Sequence, residues 1–296
     1  MSADFLKIEG ELRINEPLAK YTSWRVGGIA HQLYLATNKL DLASFLSQLP
    51  ESEPILWLGL GSNVLVRDGG FAGTVISTAG ILKNLDVKGE SIEAEVGVYC
   101  NKLAKQAARS GLTGAGFLAG IPGTLGGALA MNAGAHGTEI WSLIVGVTTI
   151  DREGQLHHRA PEEFKVGYRH VVMPIDEWFV SAVLGLREGD KAYEIDEIKS
   201  LLKKRNLSQP TNQPSAGSVF RNPENDFAAR LIEASGLKGL VIGGAAVSKK
   251  HANFIVNMGD ATAADIEALI VHVQQTIELE HGVLLEPEVH IVGELV

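Results

Sequence analysis

The chain has 296 residues, 45% hydrophobic and 21% charged, an ordinary globular composition able to bury a sizeable core in two or three small units. A net charge of −9 argues against nucleic acid as a partner, and a single cysteine, Cys100, rules out an internal disulfide or a cysteine zinc cage. The nine histidines lack metal-ligating spacing, Met1–Gly10 lacks a leader's apolar stretch, and no apolar run reaches membrane length, so no metal is expected and the cytoplasm is the default.

In chain order, Leu42, Phe45, Leu46 and Leu49 fall at helical spacing and predict an amphipathic helix. Ile55–Leu60 reads as a short buried strand, and alternation of Ile92, Ala94, Val96 and Val98 with Glu93 and Glu95 as a half-buried one. Leu103–Arg109 reads as a helix ended by Gly111, and Asp151–Gly154 as a turn between two strands. Composition shifts near Gly189. Beyond it, Ile195, Ile198, Leu201 and Leu202 mark a helix, and Gln209–Ser218 a loop. Asn225 or Asp226 is expected to cap a helix running through Ser235 to Gly236. Thr262 and Asp265 form a capping box for a long helix carrying Ile266, Leu269, Ile270, Val273 and Ile277, and Val283–Val292 is the last strand. The dense basic spots are Lys203–Arg205, which reads as a solvated helix end, and Lys249-Lys250. Strands mixed irregularly with helices indicate an α+β fold with a boundary near residue 190.

The 33 glycines cluster. Gly59-x-Gly61 followed by Ser62 and Asn63 links two strand candidates. Glycines there expose successive backbone N–H groups with no Cβ in front of them, a nest that holds anions without net positive charge. Val64 occupies the third-glycine position, so the dinucleotide fingerprint G-x-G-x-x-G is not met. Taken alone, the pattern is also that of a plain hairpin-like turn. Gly116–Glu139 is poorer still in side chains, with Gly120, Ile121, Pro122 and Gly123 followed by Gly126, Gly127 and Ala128. A second backbone packed closely, or a flat ligand, explains such a stretch. Thr22–Gly28 is a third small-residue segment.

Three polar clusters follow: Tyr168-Arg169, the stretch Ser215–Pro223 with Ser218 in Ala-Gly-Ser, and Leu285–Val289 with Glu288. On their own they read as a surface ion-pairing arginine, a turn hydroxyl and an outward strand residue. No G-x-S-x-G surrounds Ser218, so it is not a triad nucleophile.

Thr22–Gly28, Gly59–Asn63 and Ile121–Ala135, in that order, resemble the FAD-binding region of the UDP-N-acetylenolpyruvoylglucosamine reductase family, and the resemblance runs from about residue 15 to residue 293. It implies a vanillyl-alcohol-oxidase-type FAD-binding fold over residues 15–189, in two subdomains split near residue 80, then a smaller α/β substrate-binding domain over 190–296. It implies non-covalent FAD held by Gly59, Gly61, Ser62, Asn63, Gly120, Ile121, Pro122, Gly123, Gly126, Gly127, Ala128 and Asn132. NADPH is the implied hydride donor, and UDP-N-acetylglucosamine enolpyruvate the substrate, reduced to UDP-N-acetylmuramate for peptidoglycan. Arg169, Ser218 and Glu288 are implied as catalytic residues. Tyr168, Asn222 and Lys238 are implied to bind substrate; the bland reading of Lys238 is a helix-end cation. A monomer in the cytoplasm, without membrane or nucleic-acid partner, completes the expectation.

The chain departs from the family pattern at His170-Val171, where a serine often follows the arginine, at Arg221 for lysine, and at His290 for arginine. If His290 faces the flavin, its charge is expected to titrate near neutrality. The stretch from Arg169 to Ser218 is too short for the family's substrate-covering loop, which implies the shorter branch. A flavin oxidase of the same fold and a non-catalytic flavin- or nucleotide-binding relative are the alternatives.

Overall fold

The computed structural model describes residues 8–296, so most of the Met1–Gly10 segment lies outside the described residues. Two compact units make up the chain, and neither is continuous in sequence. The first holds the described residues to Ile14, Gln32–Leu60 and Gly73–Leu202; the second holds Asn15–His31, Gly61–Ala72 and Lys203–Val296.

In the first unit, a five-stranded antiparallel sheet runs Leu156–Arg159, Ile144–Asp151, Glu177–Gly185, Ser91–Glu95 and Leu85–Lys88. Ile92 and Ala94 alternate into the core as their period-2 pattern requires. The helix Cys100–Arg109 buries Cys100, Leu103, Ala104, Ala107 and Ala108, one stripe at positions i, i+3, i+4, i+7 and i+8. Gly111 follows with φ +70°, a left-handed end that glycine adopts without strain. Ile55–Leu58 pairs in parallel with Phe71–Ser77, Ile55 opposite Thr74. Asn38, not singled out from sequence, caps Lys39–Leu46 by accepting from the N–H groups of Leu40 and Asp41.

The second unit is built on the helix Ala263–His281. It buries Ile266, Leu269, Ile270, Val273 and Ile277, the expected stripe. The Thr262–Asp265 capping box forms, and Gly282 closes the helix at φ +67°. Asp68 adds a carboxylate at the same N-terminus, accepting from Ala263 N at 3.0 Å and Ala264 N at 2.9 Å. A three-stranded antiparallel sheet, Val241–Ile242, Ala245–Val247 and Ile255–Asn257, belongs to the same core.

Long-range partners explain why the chain's early segments group with its C-terminal part. Val64–Val66 pairs in parallel with His290–Val292. Trp24 is fully buried and donates its indole N–H to the Ile255 carbonyl at 2.8 Å, while Asn257 donates to Trp24 O at 2.9 Å. The units therefore do not follow a boundary at residue 190. That boundary marks the start of the helix Lys191–Ser208, which the division crosses after Leu202.

Two local expectations change. The helix expected after Asn225 or Asp226 starts at Ala228, and Asn222 Oδ1 accepts from its first N–H at 3.1 Å, while Asp226 Oδ1 accepts from Phe227 N and binds Arg230. The last strand is only His290–Val292, because Pro287 has no N–H and the preceding stretch forms only an isolated bridge, Pro287 to Phe220, outside any sheet.

Candidate functional site

In the first unit, the strand Ile55–Leu58 ends at Gly59, where a Cβ would stand 2.5 Å from Thr124 Oγ1. Gly59 thus lies directly on the second glycine segment. The plain-hairpin reading fails, since the strands on either side of the first glycine loop pair elsewhere, Ile55–Leu58 with Phe71–Ser77 and Val64–Val66 with His290–Val292. The second loop is anchored by Cys100 N to Gly123 O, Leu125 N to Val98 O and Gly126 N to Val96 O. A Cβ at Gly126 would press on Val96 at 2.9 Å, so packing alone requires that glycine, and Ala128 is buried in the short helix Leu125–Ala130. Gly120 and Gly127 differ. A Cβ at either would meet no atom within 4 Å.

Arg169 sits at the second position of the two-residue turn joining Lys165–Gly167 to His170–Val172. Its φ is +54°, a left-handed conformation rare outside Gly and Asn, which costs about 1–3 kcal/mol and concentrates at functional sites. The guanidinium donates to Asn132 O at 3.3 Å and Gly134 O at 3.2 Å and lies 4.9 Å from the centre of the exposed Tyr168 ring. Asn132, expected as a cofactor contact, is itself 1% exposed with both amide protons engaged, by Glu139 Oε2 and Gly167 O.

In the second unit, Gly61 has φ +62°, and a Cβ there would meet Tyr21 O at 2.3 Å. Ser23 N donates to Gly61 O at 3.1 Å, so the Thr22–Gly28 segment lies against this loop. Ser62 O accepts from Gly217 N at 3.3 Å, which docks the Ala-Gly-Ser loop. Val219, next to Ser218, receives the Glu288 amide at 2.7 Å, and Arg221 N donates to Glu286 O at 2.9 Å. Asn63 Nδ2 donates to Glu288 O at 3.0 Å, and His290 N to Asn63 O at 2.9 Å. Ser218, Glu288, Ser62 and Asn63 are thereby brought into one hydrogen-bonded backbone framework. Asn253, unmarked in the sequence reading, braces it. Buried at 3%, it bonds both the N–H and the carbonyl of Phe220 and receives Val219 N on its own carbonyl.

Lys238 follows Gly236 beyond the helix Ala228–Ala234 and ion-pairs with Glu233 at 3.0 Å. Burial first, and then the Lys238 charge, hold the His251 imidazole below its ordinary value, with Glu233 opposing. At His290, burial and then the Arg221 charge likewise hold the imidazole below its ordinary value.

Comparison with known proteins bears on this arrangement. Residues 209–292 match the model for the UDP-N-acetylenolpyruvoylglucosamine reductase C-terminal domain, and residues 30–159 match an FAD-binding domain. The UDP-N-acetylenolpyruvoylglucosamine reductase of Alkalilimnicola ehrlichii is 60% identical over 96% of both chains, and that of Methylococcus capsulatus is 59% identical over 95% of this chain and 92% of its own. The chain belongs to the UDP-N-acetylenolpyruvoylglucosamine reductase family. A solved family member, UDP-N-acetylenolpyruvylglucosamine reductase from Thermus caldophilus, superposes with a TM-score of 0.83 at 34% identity, covering 96% of this chain and 99% of that one. The fold is therefore α+β, an FAD-binding domain with the family's C-terminal domain, and the chain is an FAD-dependent oxidoreductase.

The residues present fit that cofactor. Thr124 is 1% exposed, and its hydroxyl has no hydrogen-bond partner among the described residues, a costly state unless a ligand supplies one. It lies beside Gly59 and between the open-faced Gly120 and Gly127 in sequence. Thr124 was missed from sequence because a threonine within a glycine-rich run carries no local signal; only its unmet hydroxyl marks it.

Proposed function

We propose that Arg169, Ser218 and Glu288 are the side chains with which this chain reduces the enolpyruvyl ether of UDP-N-acetylglucosamine enolpyruvate, using NADPH as hydride source. The activity follows from family membership: the chain is a UDP-N-acetylmuramate dehydrogenase acting in peptidoglycan-precursor synthesis. Bound FAD supplies the hydride acceptor and donor that links the two substrates. We assign its binding to Gly59, Gly61, Ser62, Asn63 and the Gly120–Ala128 segment, with Thr124 added.

Hydride addition at C3 of the enolpyruvyl group leaves negative charge at C2, delocalised into the carboxylate. A guanidinium's planar donor fork matches a carboxylate, so Arg169 holds this group and offsets the developing charge. The strained turn and the two carbonyls that fix the guanidinium support this role. Ser218 gives its hydroxyl proton to C2, because a strongly basic carbanion takes a proton even from a high-pKa donor. Glu288 orients that step. Its backbone is tied to Val219 and Asn63, which sets its carboxyl group on the segment paired with the Ser218 loop.

Tyr168, Asn222 and Lys238 are assigned to the nucleotide sugar. Asn222 spends its carbonyl oxygen on Ala228 N and keeps its amide donors, while Lys238 offers a point charge to the pyrophosphate. We take the protein to act as a monomer in the cytoplasm. No helix among the described residues is long and apolar enough to cross a membrane.

The observation that carries this reading is the shared framework of Ser218 and Glu288. Its test separates the half-reactions. Ser218→Ala should bleach normally with NADPH and lose about 10²–10⁴-fold in reoxidation by the UDP-enolpyruvyl sugar. Undiminished sugar turnover in that variant would remove Ser218 as the proton donor. Fast reoxidation of the native enzyme by air alone would point to an oxidase.

A further inference from the structure

Asn132 follows the helix Leu125–Ala130 with φ +41°, a left-handed residue in a buried position. Its side chain joins three segments. Nδ2 donates to Glu139 Oε2 at 2.7 Å and to Gly167 O at 3.1 Å, and Oδ1 accepts from Trp141 N at 3.4 Å. The opposite amide orientation would turn its oxygen onto a carboxylate and a carbonyl, so the partners dictate the one observed.

The residue reaches the Arg169 turn at two points. Its amide holds Gly167 O, two residues before Arg169, and its own carbonyl receives the guanidinium, with Gly134 O taking the second bond. Glu139 lies opposite Gly134 in the hairpin Gly134-Ala135/Thr138-Glu139, whose turn residues His136 and Gly137 both have positive φ. That tight turn returns the Glu139 carboxylate to Asn132.

We propose that Asn132, oriented by Glu139, is a positioning residue that sets the Arg169 guanidinium for the substrate carboxylate, rather than a contact to the cofactor. The proposal rests on the role assigned above to Arg169. The two carbonyls are neutral acceptors, so they aim the guanidinium without themselves neutralising it. A left-handed residue suits asparagine, which explains why one side chain serves both the turn and the clamp.

The test uses holoenzyme and three readouts: bleaching by NADPH, reoxidation by the UDP-enolpyruvyl sugar, and flavin affinity by fluorescence titration. Asn132→Gly keeps the backbone conformation and removes the amide; Glu139→Ala removes the orienting carboxylate at a partly exposed site and reports even if the first variant fails to fold. Both should slow sugar-driven reoxidation, toward about 10²-fold for an ångström-scale misplacement, with flavin affinity and NADPH bleaching unchanged. Glu139→Gln, which retains an acceptor oxygen, should recover most of the Glu139→Ala loss.

Added to Arg169→Ala, Asn132→Gly should cause no further loss in reoxidation. Multiplying losses in that double variant, or weakened flavin binding with normal sugar reoxidation, would overturn the proposal. If Arg169→Ala itself reoxidises at the native rate, the role of Arg169 fails first. If it is slow while Asn132→Gly and Glu139→Ala are fast, only the positioning role fails.

Discussion

Glu288 donates its backbone N–H to the carbonyl of Val219 at 2.7 Å, directly beside Ser218. The two residues are remote in sequence, so this pairing exists only because the last extended segment is laid along the Ala-Gly-Ser loop. Asn253 secures that loop from behind by bonding both backbone groups of Phe220.

Asn253→Ala should therefore destabilise the protein by about 1–3 kcal/mol, since it leaves a buried N–H and a buried carbonyl without partners. Denaturant unfolding checks this. Unchanged stability would mean that water or a shifted chain replaces both bonds.

The glycines divide into two classes that substitution distinguishes. Gly59→Ala and Gly61→Ala should destabilise the flavin-free protein, because the added methyl meets Thr124 Oγ1 at 2.5 Å in one and Tyr21 O at 2.3 Å in the other, where φ is also +62°. The cost expected from overpacking is about 1–3 kcal/mol. Gly127→Ala should instead stabilise the flavin-free protein, by up to about 1 kcal/mol of helix propensity, because its Cβ enters open space in a helix. Its flavin affinity should fall. Flavin binding as tight as native in Gly127→Ala would show that this open face is not where the cofactor lies.

Arg169→Lys should lower kcat and raise KM for the UDP-enolpyruvyl sugar by at least about tenfold, leaving the NADPH half-reaction intact. An ammonium keeps the charge but cannot reproduce a planar fork tied to both Asn132 O and Gly134 O. Steady-state kinetics on both substrates would reveal equal performance if charge alone were needed.

Stability should decline as pH falls below the ordinary histidine value of 6.5. His251 is held below that value by burial and then by Lys238, and its Nδ1 is buried with no partner among the described residues. The folded state favours the neutral ring. Its stabilisation is complete above pH 6.5, where the unfolded ring is also neutral, and is lost as pH drops toward the folded value. His290 acts in the same direction, but it remains exposed as a residue, so solvent screens the effect and its share is smaller. Melting curves from about pH 7.5 to about pH 5.5 should flatten more in His251→Gln than in His290→Gln. Equal slopes in all three proteins would exclude histidine as the source.

Local chemistry was legible in the sequence alone. The buried stripes of Cys100–Arg109 and Ala263–His281, the Thr262–Asp265 box and the Asp151–Gly154 turn depend on neighbours within about one helical turn or one β-turn, so periodicity and residue type determine them. The glycine segments and the motifs around Arg169, Ser218 and Glu288 were legible as a family resemblance. Tertiary structure decided the rest. It took Asn15–His31 and Gly61–Ala72 into the second unit, gave the first N–H of the helix Ala228–Ala234 to Asn222, set Thr124 against Gly59, and gave Asn132 to the Arg169 turn. Each depends on hydrogen bonds or contacts beyond the reach of local periodicity. A backbone carbonyl or a threonine hydroxyl carries no mark of its distant partner until the chain folds and burial makes an unmet bond costly.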